Sequence, residues 1–301
     1  MFSNEVRIET STYCAYKCSF CPHHTSAFTR KKQFMSLELY KDLLSKVKDQ
    51  VPQITDCTIS GFGEAFIDPT LIDKIWFARS LDYNVHVLTT GSELKKTDVD
   101  KLINLGVVDI RFSLHTTNQE YYKKITGRDT HSKVLDIIQY AYQCSRFTDT
   151  KIVVTGEIID INEDDVENLK HFQYADEIEL WRPHNWASWG EYRSGDIVKT
   201  TCGRPFNGPL QIQVDGTVNM CCFDFNGDLE IGDLKTQTIE EIFTSDAYME
   251  IYNHHKNGTV TESNLLCKNC DQLKDSGSVL VYSTKGDDRV GKLSTTYKSL
   301  D

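Results

Sequence analysis

Two hydrophobic rhythms trade places along the first two-thirds of the chain. Short runs with apolar residues at alternate positions, EVRIET (5–10), NVHVLTT (84–90) and VVDIRFSLH (107–115), read as strands. Between them lie longer stretches with apolar residues three and four apart, the spacing of one helix face. These are MSLELYKDLLSKVKDQV (35–51), PTLIDKIWFARSLD (69–82), TDVDKLINLG (97–106) and SKVLDIIQYAYQCS (132–145). TDCTISGFGE (55–64) is a second strand running into a glycine turn, and TKIVVTGEII (150–159) a fifth strand. EDDVENLKHFQY (163–174) is the next helix and ADEIELWRP (175–183) the sixth strand. Thr97 is the expected N-cap of the third helix and Gly106 its stop, and Gly91 makes the turn after the third strand.

Six alternations predict an α/β fold with a parallel sheet and outer helices, because parallel strands need crossover connections. The pattern is that of a partial (β/α)6 TIM-like barrel. In such folds chemistry gathers at the C-terminal ends of the strands, which directs attention to loops 11–30, 61–67, 89–93, 113–117 and 182–195. Near residue 190 the alternation stops. PLQIQVDGTVNMCC (209–222) predicts a hairpin turning at Asp215-Gly216, and SDAYMEIYNHHKNG (245–258) a short helix ended by Gly258. The expected organisation is a barrel over 1–195, a small α+β domain over 196–275 and a polar tail over 276–301 whose last dozen residues fray.

The 301 residues, 39% hydrophobic and 26% charged, have the composition of a globular protein. A net charge of -11 leaves no basic excess to neutralise phosphates or an anionic bilayer, so neither nucleic acid nor membrane is expected as a partner. The short basic run Arg30, Lys31, Lys32 reads as a solvated loop. No apolar run reaches the roughly 18 residues of a membrane span. MFSNEVRIET lacks the basic-then-apolar layout of a secretory signal, so the cytoplasm is the expected location. Ten cysteines in such a chain read as metal ligands rather than disulfides.

Those cysteines fall into two sets. Cys14, Cys18 and Cys21 form a C-x3-C-x2-C run in CAYKCSFCPHH (14–24), after the first strand. Cys202, Cys221 with its neighbour Cys222, Cys267 and Cys270 form the second, and Cys57 and Cys144 read as small buried hydrophobes. Soft thiolates converging from one loop suit zinc or an iron–sulfur cluster. A zinc would need a fourth ligand, for which His23 or His24 is at hand. A cubane held by three cysteines instead leaves one iron open for a small molecule. The second set supplies four thiols, enough for zinc or a fully ligated cluster.

The C-x3-C-x-aromatic-C loop after strand one of a βα barrel resembles the signature of the radical S-adenosylmethionine superfamily. The resemblance implies that Cys14, Cys18 and Cys21 hold a [4Fe–4S] cluster whose open iron binds S-adenosylmethionine. Reductive cleavage, fed by a flavodoxin- or ferredoxin-type reductant, would then give a 5′-deoxyadenosyl radical that abstracts a substrate hydrogen. SGFGEAFIDP (60–69) is similar to the family's Gly-Gly-Glu segment, with Gly61 and Gly63 letting backbone approach the cofactor. Glu64 would accept a hydrogen bond from the methionine ammonium. Thr90 in TTG (89–91) stands where the family has asparagine, and Ser113 matches a serine that contacts the cofactor's ribose or carboxylate. His115 replaces a common aspartate, and Phe20 would lie near the adenine.

VDGTVNMCCFDFNGDLEIGDL, followed later by IEEIF and CKNC, resembles the C-terminal Twitch or SPASM extension of these enzymes. No cysteine follows Cys270, which matches the single-auxiliary-cluster, aminocyclitol-dehydrogenase type. Cys202, Cys221, Cys267 and Cys270 would then hold a second [4Fe–4S] cluster. The resemblance spans roughly residues 5–272. It implies a two-electron oxidation (dehydrogenation) of a sugar- or aminocyclitol-like small molecule, or of a peptide, with the second cluster as electron acceptor. The alternatives are a radical epimerase with Cys222 as catalytic hydrogen donor, and a non-catalytic two-cluster electron-transfer or zinc-binding protein. Substrate contacts are expected from WRPHNWASWGEYRSG (181–195), through Arg182, His184, Trp186, Trp189, Tyr192 and Arg193, and from Arg128. Packing between domains is the plainer reading of that aromatic loop.

Overall fold

The computed structural model describes residues 3–157, 168–181, 183–187, 189–192, 195–274, 279–285 and 288–294. Strands β1 (Glu5–Ile8), β2 (Asp56–Ile59), β3 (Asn84–Thr89), β4 (Asp109–Ser113), β5 (Lys151–Glu157) and β6 (Glu177–Trp181) lie side by side in chain order, each parallel to the next. Helices α1 (Leu37–Gln50), α2 (Leu71–Ser80), α3 (Lys96–Asn104), α4 (Gln119–Thr126) and α5 (His131–Ser145) supply the crossovers up to β5. The helix expected over 163–174 falls mostly outside the described residues, which show only its end at 168–170.

The sheet does not close. β7 (Leu210–Ile212) joins β1 in parallel, and β8 (Thr217–Asn219) and β9 (Glu230–Asp233) follow antiparallel. At the other edge β10 (Val279–Lys285) pairs antiparallel with β6 and carries β11 (Asp288–Ser294), giving eleven strands in one open sheet among the described residues. The molecule is a partial (β/α) barrel whose two rims are extended by hairpins. The stretch after Cys270, read from sequence as a polar tail, contributes one of those hairpins. Its alternation is short and interrupted by Ser, Thr and Gly, and a single hairpin carries little pattern of its own without a sheet to join.

Local chemistry explains most boundaries. Ser36 caps α1, its Oγ accepting the Leu39 N–H at 3.1 Å, and Tyr40, Leu43, Leu44 and Val47 bury one face. In α3 the cap is Lys95 rather than Thr97, because the Asp98 carboxylate reaches back to the Lys95 N–H at 3.2 Å. α4 was not read from the pattern, yet it has an Asn118 cap on the Tyr121 N–H at 3.0 Å and a Gly127 stop at φ 67°. Beyond the barrel come α6 (Arg204–Asn207), α7 (Ile239–Phe243) and α8 (Asp246–Asn257), the last capped by Ser245 and ended by Gly258, the stop the sequence predicts.

Side-chain alternation gives the strands two unlike faces. Val6, Ile8, Val85, Val87, Ile110 and Phe112 pack under the helices. Arg7, Thr58, His86, Arg111 and Glu179 point the other way, into a cavity of about 1320 Å³ including its open mouth. The interior of a closed barrel is filled by layers of branched apolar side chains; this interior is charged and open. Cys57 is fully buried as expected, whereas Cys144 is only half-buried, beside the Tyr140 hydroxyl. No helix of the described residues is long and apolar enough to cross a membrane.

Candidate active site and auxiliary cysteine centre

The loop that bears Cys14, Cys18 and Cys21 is shaped by its backbone. Lys17 and Ser19 donate their N–H groups to the carbonyls of Thr126 and Ile125, at 2.9 and 2.8 Å, so the loop leans on the end of α4. The Cys21 N–H closes a turn on Cys18 at 3.1 Å. Burial pushes the Cys14 thiol up to about 11 and the Cys21 thiol to about 12. Cys18 is raised by burial and then by Cys21 and Cys14, which records that the three sulfurs are neighbours. Buried thiols of this kind ionise when a metal takes the proton's place.

His23 is not positioned as their partner. Its Nε2 faces the Thr12 carbonyl at 2.9 Å, and Lys32 Nζ contacts both ring nitrogens. Arg30 pairs with the buried Glu9 carboxylate and Lys32 lies 4.4 Å from the Phe28 ring centre, so these two turn inward, while Lys31 is exposed. Among the described residues no three His, Cys, Asp or Glu side chains are arranged to hold a single metal ion. A tetrahedral zinc with 2.3 Å bonds would draw its sulfurs to about 3.8 Å of one another, and a cubane spreads them wider. Three soft thiols from one loop, with no fourth ligand beside them from His23, are a donor set that fits an iron–sulfur cluster.

Glu64 sits across from the cysteine loop and is tied to it, its N–H donating to the Tyr13 carbonyl at 2.7 Å. Its carboxylate is buried and accepts from Thr89 Oγ1 at 2.7 Å, the Phe66 N–H at 3.1 Å and the Thr90 N–H at 2.6 Å. Burial raises its pKa, against the pull of those donors. A Cβ on Gly61 would meet Glu9 Cγ at 2.3 Å, and one on Gly63 the Ser11 carbonyl oxygen at 2.2 Å, so both positions need glycine for close approach. Thr90 and Ser113 stand at the ends of β3 and β4, and Ser113 lines the barrel cavity. His115 takes φ 66°, packs edge-on to Phe20 at 5.0 Å and is held near pKa 4 by burial. It accepts the Glu157 N–H on Nδ1 at 3.3 Å, so its proton is on Nε2.

The loop after β6 divides the expected substrate contacts. Trp186 Nε1 donates to the Phe20 carbonyl at 2.6 Å, and its ring lies 4.8 Å from Phe62 and 4.1 Å from His184. His184 in turn lies 3.8 Å from Phe223 of the C-terminal module. Trp186 and His184 thus both pack the two halves together and line a cavity with Cys222. Burial and then the nearby Cys21 raise the Tyr192 phenol, which places it beside the three-cysteine loop. Of Trp189 only a backbone bond to the Asn185 carbonyl at 2.7 Å is recorded. Arg128 lies on the turn after α4, with Nε buried and without a hydrogen-bond partner among the described residues, and does not line the described cavities. Arg182 and Arg193 lie outside the described residues.

Cys202, Cys221, Cys267 and Cys270 line a separate, mostly apolar cavity with Arg204, Phe223, Leu229 and His255. Burial raises the thiols of Cys202, Cys267 and Cys270, the last to about 12. Cys222 faces elsewhere: it lines the barrel cavity together with Ser113, Glu157 and Trp181. While Cys221 is protonated, its hydrogen bond and the Arg204 and Arg7 guanidinium groups hold the Cys222 thiol below its usual range; as a metal ligand Cys221 would give up that bond. Sequence reasoning missed Asn185, whose side chain bonds the Asn269 carbonyl at 2.7 Å and the Asp271 N–H at 3.1 Å beside Cys270. It also missed Glu9, which accepts the Phe62 and Val214 N–H groups at 2.8 and 3.1 Å. Neither belongs to a motif; a lone polar residue at a strand end was the only signal.

The chain matches the Radical SAM superfamily model over residues 8–172 and SPASM, an iron–sulfur cluster-binding domain, over residues 202–271. An uncharacterised protein of Methanocaldococcus jannaschii is 31% identical over 163 residues, 52% of this chain and 56% of that protein. The GTP 3′,8-cyclase of Aliarcobacter butzleri is 28% identical over 140 residues, 45% of this chain and 42% of that protein. The chain thus spans about half the length of these curated relatives. BtrN in complex with AdoMet and 2-DOIA superposes with a TM-score of 0.64 at 17% identity, covering 90% of this chain and 94% of that one. Streptococcus suis SuiB bound to precursor peptide SuiA gives 0.68 at 12% identity, covering 83% and 66%. These likenesses show a shared fold.

Proposed function

Because the chain belongs to the radical S-adenosylmethionine superfamily and carries a SPASM iron–sulfur domain, we propose that it oxidises a small hydroxyl- or amine-bearing molecule by two electrons. The observation that carries this reading is one cavity: it runs from Ser113 at the strand ends to Cys222, next to the four-cysteine centre. A substrate held at that end of the cavity would lie against Ser113, Glu157 and Cys222. When bound, a [4Fe–4S] cluster at Cys14, Cys18 and Cys21 with S-adenosylmethionine supplies a hydrogen-abstracting radical, and a second cluster at Cys202, Cys221, Cys267 and Cys270 supplies an electron acceptor. An external flavodoxin- or ferredoxin-type reductant belongs to the proposal.

The chain's own residues do the rest. Glu64, fixed by Thr89 and Thr90, keeps a carboxylate lone pair for the cofactor's ammonium. Phe20, Trp186 and Phe62 wall the strand ends against water. Glu157 and Glu179 give the chamber carboxylates that can take the substrate's O–H or N–H proton. On the adjoining wall, Gln211 Oε1 and Asn219 Oδ1 are buried acceptors without a donor among the described residues. Both Asn219 amide hydrogens are committed to the carbonyls of Cys221 and Asp224, at 3.2 and 3.1 Å, which leaves its oxygen as an acceptor. Such acceptors favour hydroxyls and amines over apolar groups. Loss of a C–H hydrogen atom, one proton and one electron turns a carbinol into a carbonyl and makes the product two mass units lighter.

Cys222 on the chamber wall supports a second reading, radical epimerisation with its S–H as hydrogen donor. The test is anaerobic reconstitution with iron, sulfide, dithionite and S-adenosylmethionine against a panel of aminocyclitols, inositols and amino sugars. About eight irons per chain, as two cubanes require, 5′-deoxyadenosine and a product two mass units lighter are expected. Solvent deuterium in the product, with turnover stopped by Cys222→Ala, would establish the epimerase instead. Absence of 5′-deoxyadenosine throughout would leave an electron-transfer protein and refute both.

A further inference from the structure

The four-cysteine cavity contains a nitrogen that its thiols do not account for. α8 buries Tyr248, Ile251 and His255 on one face, and His255, 3% exposed, lines the cavity alongside all four cysteines. Its Nδ1 lies 2.8 Å from Thr201 Oγ1. That hydroxyl already accepts the Gly203 N–H at 3.0 Å. Its own proton has one acceptor among the described residues, the imidazole Nδ1. The ring proton is therefore on Nε2, and Nε2 is buried with no hydrogen-bond partner among the described residues. A buried N–H without an acceptor is rare in folded proteins because its desolvation goes unrepaid. The sequence ties the arrangement to the site twice: Thr201 precedes the ligand candidate Cys202, and Gly203 follows it.

We infer that His255 Nε2–H donates a hydrogen bond to the sulfur shell of the auxiliary cluster, and that Thr201 fixes the tautomer which makes this possible. The inference rests on reading Cys202, Cys221, Cys267 and Cys270 as the cluster's ligands. Histidine is a positioning and tuning residue here, not a fifth ligand. Hydrogen bonds to cluster sulfurs are one of the levers on reduction potential. A donor aimed at sulfur favours the more negative, reduced form, so its removal lowers the potential. The consequence for the proposed reaction is a better electron acceptor at the far end of the chamber.

The experiment uses the full chain carrying Cys14→Ala, Cys18→Ala and Cys21→Ala, reconstituted with iron and sulfide so that only the second cluster is present. Potential is read by dye-mediated titration followed by electron paramagnetic resonance. His255→Phe is expected to keep about four irons per chain and to shift the reduced-to-oxidised ratio about tenfold toward oxidised, roughly 59 mV for one electron. His255→Gln, which restores an N–H, should recover part of the shift, and Thr201→Val, which leaves the imidazole in place, should show a smaller fall. An unchanged potential in His255→Phe with its iron retained overturns the inference, as does loss of iron, which would make histidine a ligand. No cluster in the parent triple variant would refute the four-cysteine assignment itself, a separate failure.

Discussion

At Gly63 the molecule has room for a hydrogen and nothing larger. A Cβ there would lie 2.2 Å from the Ser11 carbonyl oxygen and 2.8 Å from that of Tyr13, the residues that lead into Cys14. Backbone cannot rotate aside as a side chain does, so Gly63→Ala has to push the cysteine loop and stretch the Glu64 N–H bond to Tyr13. We expect a loss of about 1–3 kcal/mol, the usual cost of overpacking, together with weaker S-adenosylmethionine binding. Thermal unfolding of the metal-free protein and calorimetry on the reconstituted one would check each part; an unchanged melting temperature would show that the loop yields freely. Gly63 was legible because glycine beside a strand end announces close approach. Glu9 was not, although it holds Arg30, Phe62 and Val214 together, because one glutamate looks like any other until the fold shows what surrounds it.

Elements were legible where a cap, a periodic face and a stop coincided, as in α1 and α8, and less so where tertiary partners set them. α4 had both cap and stop but its eight residues sit in a loop searched for chemistry rather than structure. β10 and β11 are defined by pairing with β6, which no local pattern reveals. The inner ladder of β2, β3 and β4 gives an element-scale prediction. His86 bonds Asp109 through Nδ1 at 2.7 Å and Asp56 through Nε2 at 3.2 Å. Burial alone would lower its pKa, but the two carboxylates outweigh burial and raise it. A folded-state value above the unfolded one means that the stabilisation is complete below about pH 6.5 and fades as pH rises through the folded value. His86→Asn should therefore cost about 2 kcal/mol at pH 5.5 and distinctly less at pH 9. Urea unfolding of both proteins across that range measures the gap; a gap constant with pH would mean that folding leaves the ring's pKa unshifted, and one that grows with pH would mean the folded ring is neutral.

Among the described residues a single sheet carries both cysteine sets, and the way its halves are joined decides how far the two proposed centres would act together. β7 continues the barrel sheet beside β1, and aromatic contacts from Phe62 to Trp186 and from His184 to Phe223 fill the seam. The polar latch is narrower. Asn185, after β6, donates to the Asn269 carbonyl and accepts from the Asp271 N–H, while its own N–H meets the buried Asp271 carboxylate at 2.7 Å. These bonds grip the backbone that presents Cys267 and Cys270. Asn185→Ala removes the two side-chain bonds but keeps the third, so the penalty should be about 1–3 kcal/mol, two buried bonds at the usual net value. The effect should also be local. With the last cysteine pair less firmly held, a chelator should strip iron from the second set several-fold faster, while release from the Cys14, Cys18, Cys21 loop, which leans on α4 instead, keeps its rate. Iron release followed separately in variants lacking one cysteine set or the other resolves the two. Equal acceleration at both would mean that the latch holds the entire barrel mouth, and that the two centres share one unit of local stability rather than two.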